Sequence, residues 1–398
     1  MNDLPKWDRK PLSEVGDLIR GRRFTKNDYV ESGLGCIHYA QIHTDFGAIA
    51  RDPLTFLSED SRARMRLAHS GNLVIAGTSE NVEDVGKAVA WMGDDGVAVH
   101  DDCYIFRHGL DPAYVSYFFG SSLFHSQKLK YLSETKVVRI SGANLGLIEI
   151  PVPPRVVQER IVEVVGAVDD QITALAAEAK ALEGVYRAAM SLLWCTAEGG
   201  EAGSRLLGEV MHLDIARTPM EAGTTYRLAG VLNAGKGLVD KGAFDGKDTE
   251  YTGMNVLRKN QVVMRKLTAW EGPITVVPIG FDGFVASNEF PTFTLADDIA
   301  PGWMKHVCRT PRLWAEMQRR VVGTVQRRKR LNPDQLLSVT LPVPTRSDQE
   351  KAVSALDAIE GQIAAIRTEV LRLQDVKATL MTGLLDRTIE FESAELEV

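Results

Sequence analysis

Pro151-Val152-Pro153-Pro154-Arg155 opens a stretch that returns as Pro342-Val343-Pro344-Thr345-Arg346, and the offset of 191 residues then holds for about forty residues. Gln158-Glu159 matches Gln349-Glu350, and Gln171-Ile172 matches Gln362-Ile363. Further on, Glu178, Leu182, Val185, Met190 and Leu193 match Glu369, Leu373, Val376, Met381 and Leu384. No gap breaks the register. The chain is a tandem duplication, and each copy ends in the same kind of segment.

Apolar spacing shows what that segment is. In the first copy Ile161, Val165, Val168, Ile172, Leu175, Ala179, Leu182, Tyr186, Ala189 and Leu193 follow in steps of four and three. This is the heptad seam of a coiled-coil helix. The second copy gives Ala352, Leu356, Ile359, Ile363, Ile366, Val370, Leu373, Lys377, Leu380 and Leu384, and only Ala352 and Lys377 weaken it. No proline interrupts either run, and Ser347 with Glu350 predicts a capping box at the second helix start. About forty residues at 1.5 Å each make a rod of roughly 60 Å. Two such helices in one chain pair most simply with each other, antiparallel. Two unrelated amphipathic helices, each packed on its own domain, would not explain the matched length and register. Gly166, Gly184, Gly361 and Gly383 lie within the helices and predict bends or close crossings.

With 398 residues, the chain suits two globular units beside the helices. The segmentation expected is 1–150 and 205–340 for the globular units, 151–197 and 341–388 for the helices, 198–204 for a Gly/Ala/Glu linker and 389–398 for an acidic tail. The fold class expected is α+β: two globular domains separated and joined by two long antiparallel coiled-coil helices, with a pseudo-two-fold arrangement. Short apolar runs predict strands at Leu73–Ala76, Val97–Val99, Gln261–Met264, Ile274–Ile279 and Phe284–Ser287. Helices are expected over Ala113–Leu132 and Arg312–Val322, and a strand between His38 and His43. Each globular unit opens with Leu-x-Glu-Val, at Leu12–Val15 and at Leu207–Val210.

Four cysteines lie far apart without a C-x-x-C pair, which argues for a reducing compartment and against a zinc site. The amino terminus has no apolar signal core and no later run could span a bilayer, so cytoplasmic residence is expected. The net charge is −7, but it is unevenly spread: residues 201–340 carry +4, whereas 1–150 and 151–200 carry −3 each and 341–398 carry −5. Local basic patches, not net charge, decide nucleic-acid binding.

Arg319 to Arg330 holds six cations and no acid. Its counterpart in the first copy is Lys128, Lys130, Lys136 and Arg139 around Ser133-Glu134-Thr135. Basic loops with Thr, Gln and Gly suit phosphate contacts and base-edge hydrogen bonds. The DNA-contact candidates are Arg20, Arg22, Arg23, Lys128, Lys130, Thr135, Lys136, Arg139, Lys236, Lys266, Arg327, Arg328, Lys329 and Arg330. Gly230 to Lys236 fits G-x-x-x-x-G-K, yet Gly237 stands where Ser or Thr would hold magnesium, so it reads as a Gly-rich turn. Phe281, Phe284, Phe290 and Phe293 read as core. No H-E-x-x-H, G-x-S-x-G or methyltransferase D/N-P-P-Y/F pocket occurs. No catalytic centre or metal site is expected.

With these features in place, the chain resembles the specificity subunits of type I restriction–modification systems over essentially its whole length. The resemblance rests on the duplicated Pro-x-Pro…Gln-Glu lead-in and the heptad helices behind it. It rests also on Gly235-Lys236-Gly237, Trp270-Glu271-Gly272, Phe281-Asp282-Gly283 and Gly323…Arg327-Arg328…Arg330, which look like one type of target-recognition domain. The family implies that each head reads one half of a bipartite, asymmetric double-stranded DNA target while the helices fix the gap. It implies two methyltransferase subunits that bind S-adenosylmethionine, and restriction subunits that use ATP and Mg. This chain would hold no cofactor and catalyse nothing. A coiled-coil scaffold whose heads bind protein is the rival reading, and a cryptic nuclease or methyltransferase a more distant one.

Overall fold

A computed structural model of the chain describes residues 6–134, 137–322 and 329–391. It is an α+β protein in two compact units: residues 1–176 with 367–398, and residues 177–366. Both heptad segments are single long helices, Arg155–Ala189 and Arg346–Asp386. The unit boundaries fall inside them, so each unit owns one globular head, part of its own long helix and part of the other copy's.

The seam read from the sequence is the face that packs. Every seam position from Ile161 to Leu193 and from Ala352 to Leu384 is buried or half-buried. In the first unit Val157, Ile161 and Val165 share a core with Met381, Leu384 and Leu385. In the second, Tyr186, Ala189 and Leu193 share one with Ala352 and Leu356. The early part of one helix meets the late part of the other, so the segments in each unit run antiparallel. Lys377 does not leave a hole in the seam: its ammonium donates to both oxygens of Asp169 at 2.6 and 2.7 Å.

The predicted capping box is displaced. The second long helix starts two residues earlier, where the Thr345 hydroxyl accepts from the Asp348 amide at 3.3 Å and donates to its carboxylate at 2.9 Å. The helical glycines introduce no break. Gly383 instead makes room at the carboxy-terminal end: Arg387 is left-handed (φ 62°), the Thr388 and Ile389 amides return to the Gly383 carbonyl, and a Cβ at 383 would lie 2.5 Å from Ile389.

The duplicated Pro-x-Pro…Gln lead-in has a physical explanation. Each copy's head closes with a short antiparallel ribbon whose last strand ends on the repeated proline, Arg9–Pro11 with Glu149–Pro151 and Ser204–Leu206 with Thr340–Pro342. The following glutamine then clamps the head. Buried Gln158 accepts from the Asp111 amide at 2.8 Å and donates to the Pro153 carbonyl at 2.9 Å. Buried Gln349 accepts from the Ala300 amide at 2.8 Å and donates to the Pro344 carbonyl at 2.9 Å. Asp111 and Ala300 are the N-caps of equivalent helices, Pro112–Phe119 and Pro301–Val307. A fixed glutamine thereby satisfies an amide at the helix N-terminus in each head.

The first head carries a five-stranded sheet in the order Gly16–Arg20, Cys103–His108, Leu73–Ala76, Ala88–Trp91, Ile49–Ala50. A second five-stranded sheet includes Leu34–Ile37 and Val97–Val99, and a three-stranded one joins Ser133–Glu134, Val138–Arg139 and Thr78–Ser79. The expected helix over 113–132 is broken into Pro112–Phe119 and Ser122–Lys128, because Ser121 caps the second by accepting from the Phe124 amide. The expected strand between His38 and His43 is a helix, Tyr39–Thr44, with Gln41 accepting from the His38 amide. The second head has a four-stranded antiparallel sheet including Val262–Met264 and Ile274–Val276. Beside it a five-stranded sheet ends in the hairpin Thr225–Val231 with Leu238–Asp245. The segment between the first long helix and this head is tied down: the Ala202 amide donates to the Trp194 carbonyl, and Arg312 pairs with Glu201 at 2.6 Å.

Candidate nucleic-acid interface

In the second head, the loop Arg265–Gly272 gathers the candidates. The hairpin excludes a phosphate loop for Gly230 to Lys236, since strands stand on both sides and no helix follows. Its turn is left-handed at Ala234 (φ 53°), Gly235 (φ 61°) and Gly237 (φ 96°). Gly235 has no room for a side chain, because a Cβ would come within 2.4 Å of the Cys308 carbonyl oxygen. The Ala234 and Gly235 amides donate to the carbonyls of Glu271 and Gly272 at 2.8 and 2.9 Å, which seats the exposed Lys236 beside the loop.

Arg265 ties this junction. Its guanidinium donates to Asn233 Oδ1 (2.8 Å), Thr268 Oγ1 (2.6 Å), the Leu267 carbonyl (3.0 Å) and Glu271 Oε2 (3.0 Å). Thr268 is itself left-handed (φ 56°), and its amide donates to the Lys329 carbonyl at 3.1 Å. Non-glycine residues in that region store strain that the surroundings must hold, a pattern that gathers at functional sites. Arg330 bridges Leu267 and Val322 through its backbone. Its guanidinium and the Lys266 ammonium both approach Glu289 Oε1, at 3.5 and 3.9 Å. Lys236, Lys266, Lys329 and Arg330 are therefore brought to one loop. Arg327 and Arg328 lie outside the described residues. Sequence pattern marks its neighbour Lys266 but not Arg265, whose role comes from the folding of the loop: Leu267, Thr268 and Glu271 lie close to it in the chain, and only Asn233 comes from a distant position.

In the first head, Arg20 and Arg139 line one pocket with Thr78, Asp101, Tyr104, Ser133 and Ser141. Arg20 donates to the Asp101 carbonyl at 2.7 Å and keeps its side chain more than half exposed. Arg139 is an exposed strand residue opposite Ser133 and Thr78. Arg22 and Arg23 are exposed just beyond Arg20, and Lys130 is exposed on a short turn after Lys128. Thr135 and Lys136 lie outside the described residues.

Lys128 corrects the reading of its charge. It is 3% exposed, and its ammonium donates to the carbonyls of Glu83 and Val85 at 2.9 and 2.7 Å. Burial pushes its pKa down to about 8. Such a group is a strut inside the head, not a contact for phosphate. Arg319 and Arg320 are likewise committed to Glu316.

Exposed and half-exposed guanidinium and ammonium groups on a hydrogen-bonded loop, with hydroxyls and left-handed backbone among them, can bind phosphates and offer donors to base edges. Among the described residues, two clusters have metal-ligand chemistry, His100-Asp101-Asp102 and His306-Asp357-Glu360, and both are engaged by neighbouring groups. His100 faces the Phe24 carbonyl and the Asp102 amide, and the second cluster pairs with Lys305 and Arg309.

The sequence matches no protein-family model and no curated protein. The fold does match solved structures. One is a chain from work on complex assembly and conformational transition of the type I R-M system: 17% identity, TM-score 0.59, covering 97% of this chain and 99% of that one. Another is the type I restriction–modification S subunit of M. genitalium: 12% identity, TM-score 0.56, covering 96% of this chain and 97% of that one. The chain therefore has the fold of a type I restriction–modification S subunit along nearly its whole length.

Proposed function

We propose that this chain is the DNA-specificity subunit of a type I restriction–modification complex. The observation that carries the reading is the end-to-end match of a duplicated, two-headed fold to an S subunit, with basic side chains gathered on one loop of the second head. Each head reads one half of a bipartite target, and because the heads differ in sequence the halves differ too. The paired helices set the gap; heads one DNA turn apart, about 34–36 Å, are within reach of helices of this length. The acidic helices suit the docking of two methyltransferase subunits, which would hold S-adenosylmethionine. Restriction subunits would supply ATP- and Mg-dependent cleavage, and the complex would work in the cytoplasm. No helix among the described residues is long and apolar enough to cross a membrane.

The direct test is duplex binding against salt concentration. Lys266→Ala with Arg330→Ala removes two cations of this loop, both beside Glu289, and should shallow the slope of log K against log salt by up to about 2. Affinity and slope equal to the parent's would remove this loop from the interface. Absence of any salt-dependent DNA affinity would favour the protein-binding scaffold.

A further inference from the structure

The 191-residue offset pairs Asp169 with Glu360 and Tyr186 with Lys377. The two glutamine clamps align the head helices so that Tyr117 and His306, each six residues past its clamped amide, are counterparts. These three positions meet in both units. In the first, Lys377 from the second long helix holds Asp169 of the first and lies 5.1 Å from the Tyr117 ring centre. In the second, fully buried His306 sets Nδ1 against the Tyr186 hydroxyl and Nε2 against Asp357, both at 3.0 Å. Glu360 there receives Arg309 and Lys305. The same three-way junction of head helix, own helix and returning helix is polar twice, but its cation comes from the returning helix in one copy and from the head in the other.

An apolar heptad seam by itself does not define its register, because a slip of seven residues again sets apolar against apolar. A polar residue on the seam removes that freedom at some cost in stability. A one-heptad slip would carry Lys377 about 10 Å from Asp169, leaving two charges uncompensated at sites where their side chains are only 28% and 29% exposed. If a second copy of the first helix took the partner's place, Tyr186 would stand where Lys377 now stands, and Asp169 would face no cation.

We infer that Lys377 and Asp169 are positioning residues that fix the register of the helix pair beneath the first head and select the second copy's helix as partner, with the His306 junction doing the same beneath the second. The consequence for the DNA gap rests on the specificity-subunit reading; the register claim does not.

Two measurements decide it, both on the full-length chain. In urea unfolding, Lys377→Met and Asp169→Asn should each destabilise. The double variant should have a folding constant about tenfold or more above the product of the single effects. Additive effects overturn the register claim. As a control on folding, Lys377→Arg keeps the cation and should recover most of what Lys377→Met loses; a loss as large as that of Met also overturns it. In a host expressing the chain with its cognate methyltransferase, the parent should mark sites of one gap length. Lys377→Met should spread modification over gaps differing by a base pair or more. A single unchanged gap beside a proven coupling overturns the positional role. No modification by the parent overturns the specificity-subunit reading, and the unfolding cycle still decides the register.

Discussion

The ammonium of Lys128 satisfies two carbonyls inside the first head, while Lys236, in a sequence context no more basic, stands exposed at a turn. Charge is legible in a sequence, but the burial that decides its use is not. Lys128→Ala should cost roughly 1–3 kcal/mol in unfolding free energy by leaving both carbonyls unpaired. It should leave the salt slope of DNA binding unchanged; a shallower slope would return Lys128 to the interface. Arg265 illustrates the reverse case, since its four acceptors are set by loop folding that no local pattern announces. Histidines give the pH behaviour. Burial pushes His108 from 6.5 down to about 4, so the folded chain takes up its proton less readily than the unfolded chain. The contribution is complete above 6.5 and is lost as pH falls toward 4. Melting temperature should therefore drop across that window, and His108→Asn should remove part of the drop; parallel curves for both proteins would contradict this.

At the scale of elements, the long helices were readable because the heptad is local: each seam residue is chosen by its position along one helix. The start of the second was less readable: Ser347 with Glu350 has the spacing of a capping box, but the cap that forms is Thr345 with Asp348, two residues earlier. The heads were read in part. Strands such as Leu73–Ala76 declare themselves by an apolar run, but their partners lie far away, as when Cys103–His108 pairs with Gly16–Arg20. The glutamine clamp joins the two levels: the repeat was visible, its purpose was not. Gln349→Ala should destabilise the second unit by about 1–3 kcal/mol, read by urea unfolding, because the Ala300 amide and Pro344 carbonyl are left buried without their partner. Gln349→Met, which keeps most of the bulk but makes neither hydrogen bond, should lose nearly as much. A much smaller loss would mean that packing, not the hydrogen bond, holds the helix.

For the molecule as a whole, duplication was the most legible fact and function the most indirect. One gapless repeat predicts two heads on matched helices; in the structure each unit builds its core from a head and from segments of both helices. Bases read, and the gap between them, depend on side chains facing a ligand that leaves no periodicity behind. The proposed role, choosing where a partner enzyme methylates DNA, stands or falls on long-read mapping of modified bases in a methylation-free host expressing the chain with its cognate methyltransferase, beside hosts expressing each alone. N6-methyladenine should occur at one gapped, asymmetric motif, and only when both are present. Modification at the same sites without this chain, or none despite a stable complex of the two proteins, would contradict it.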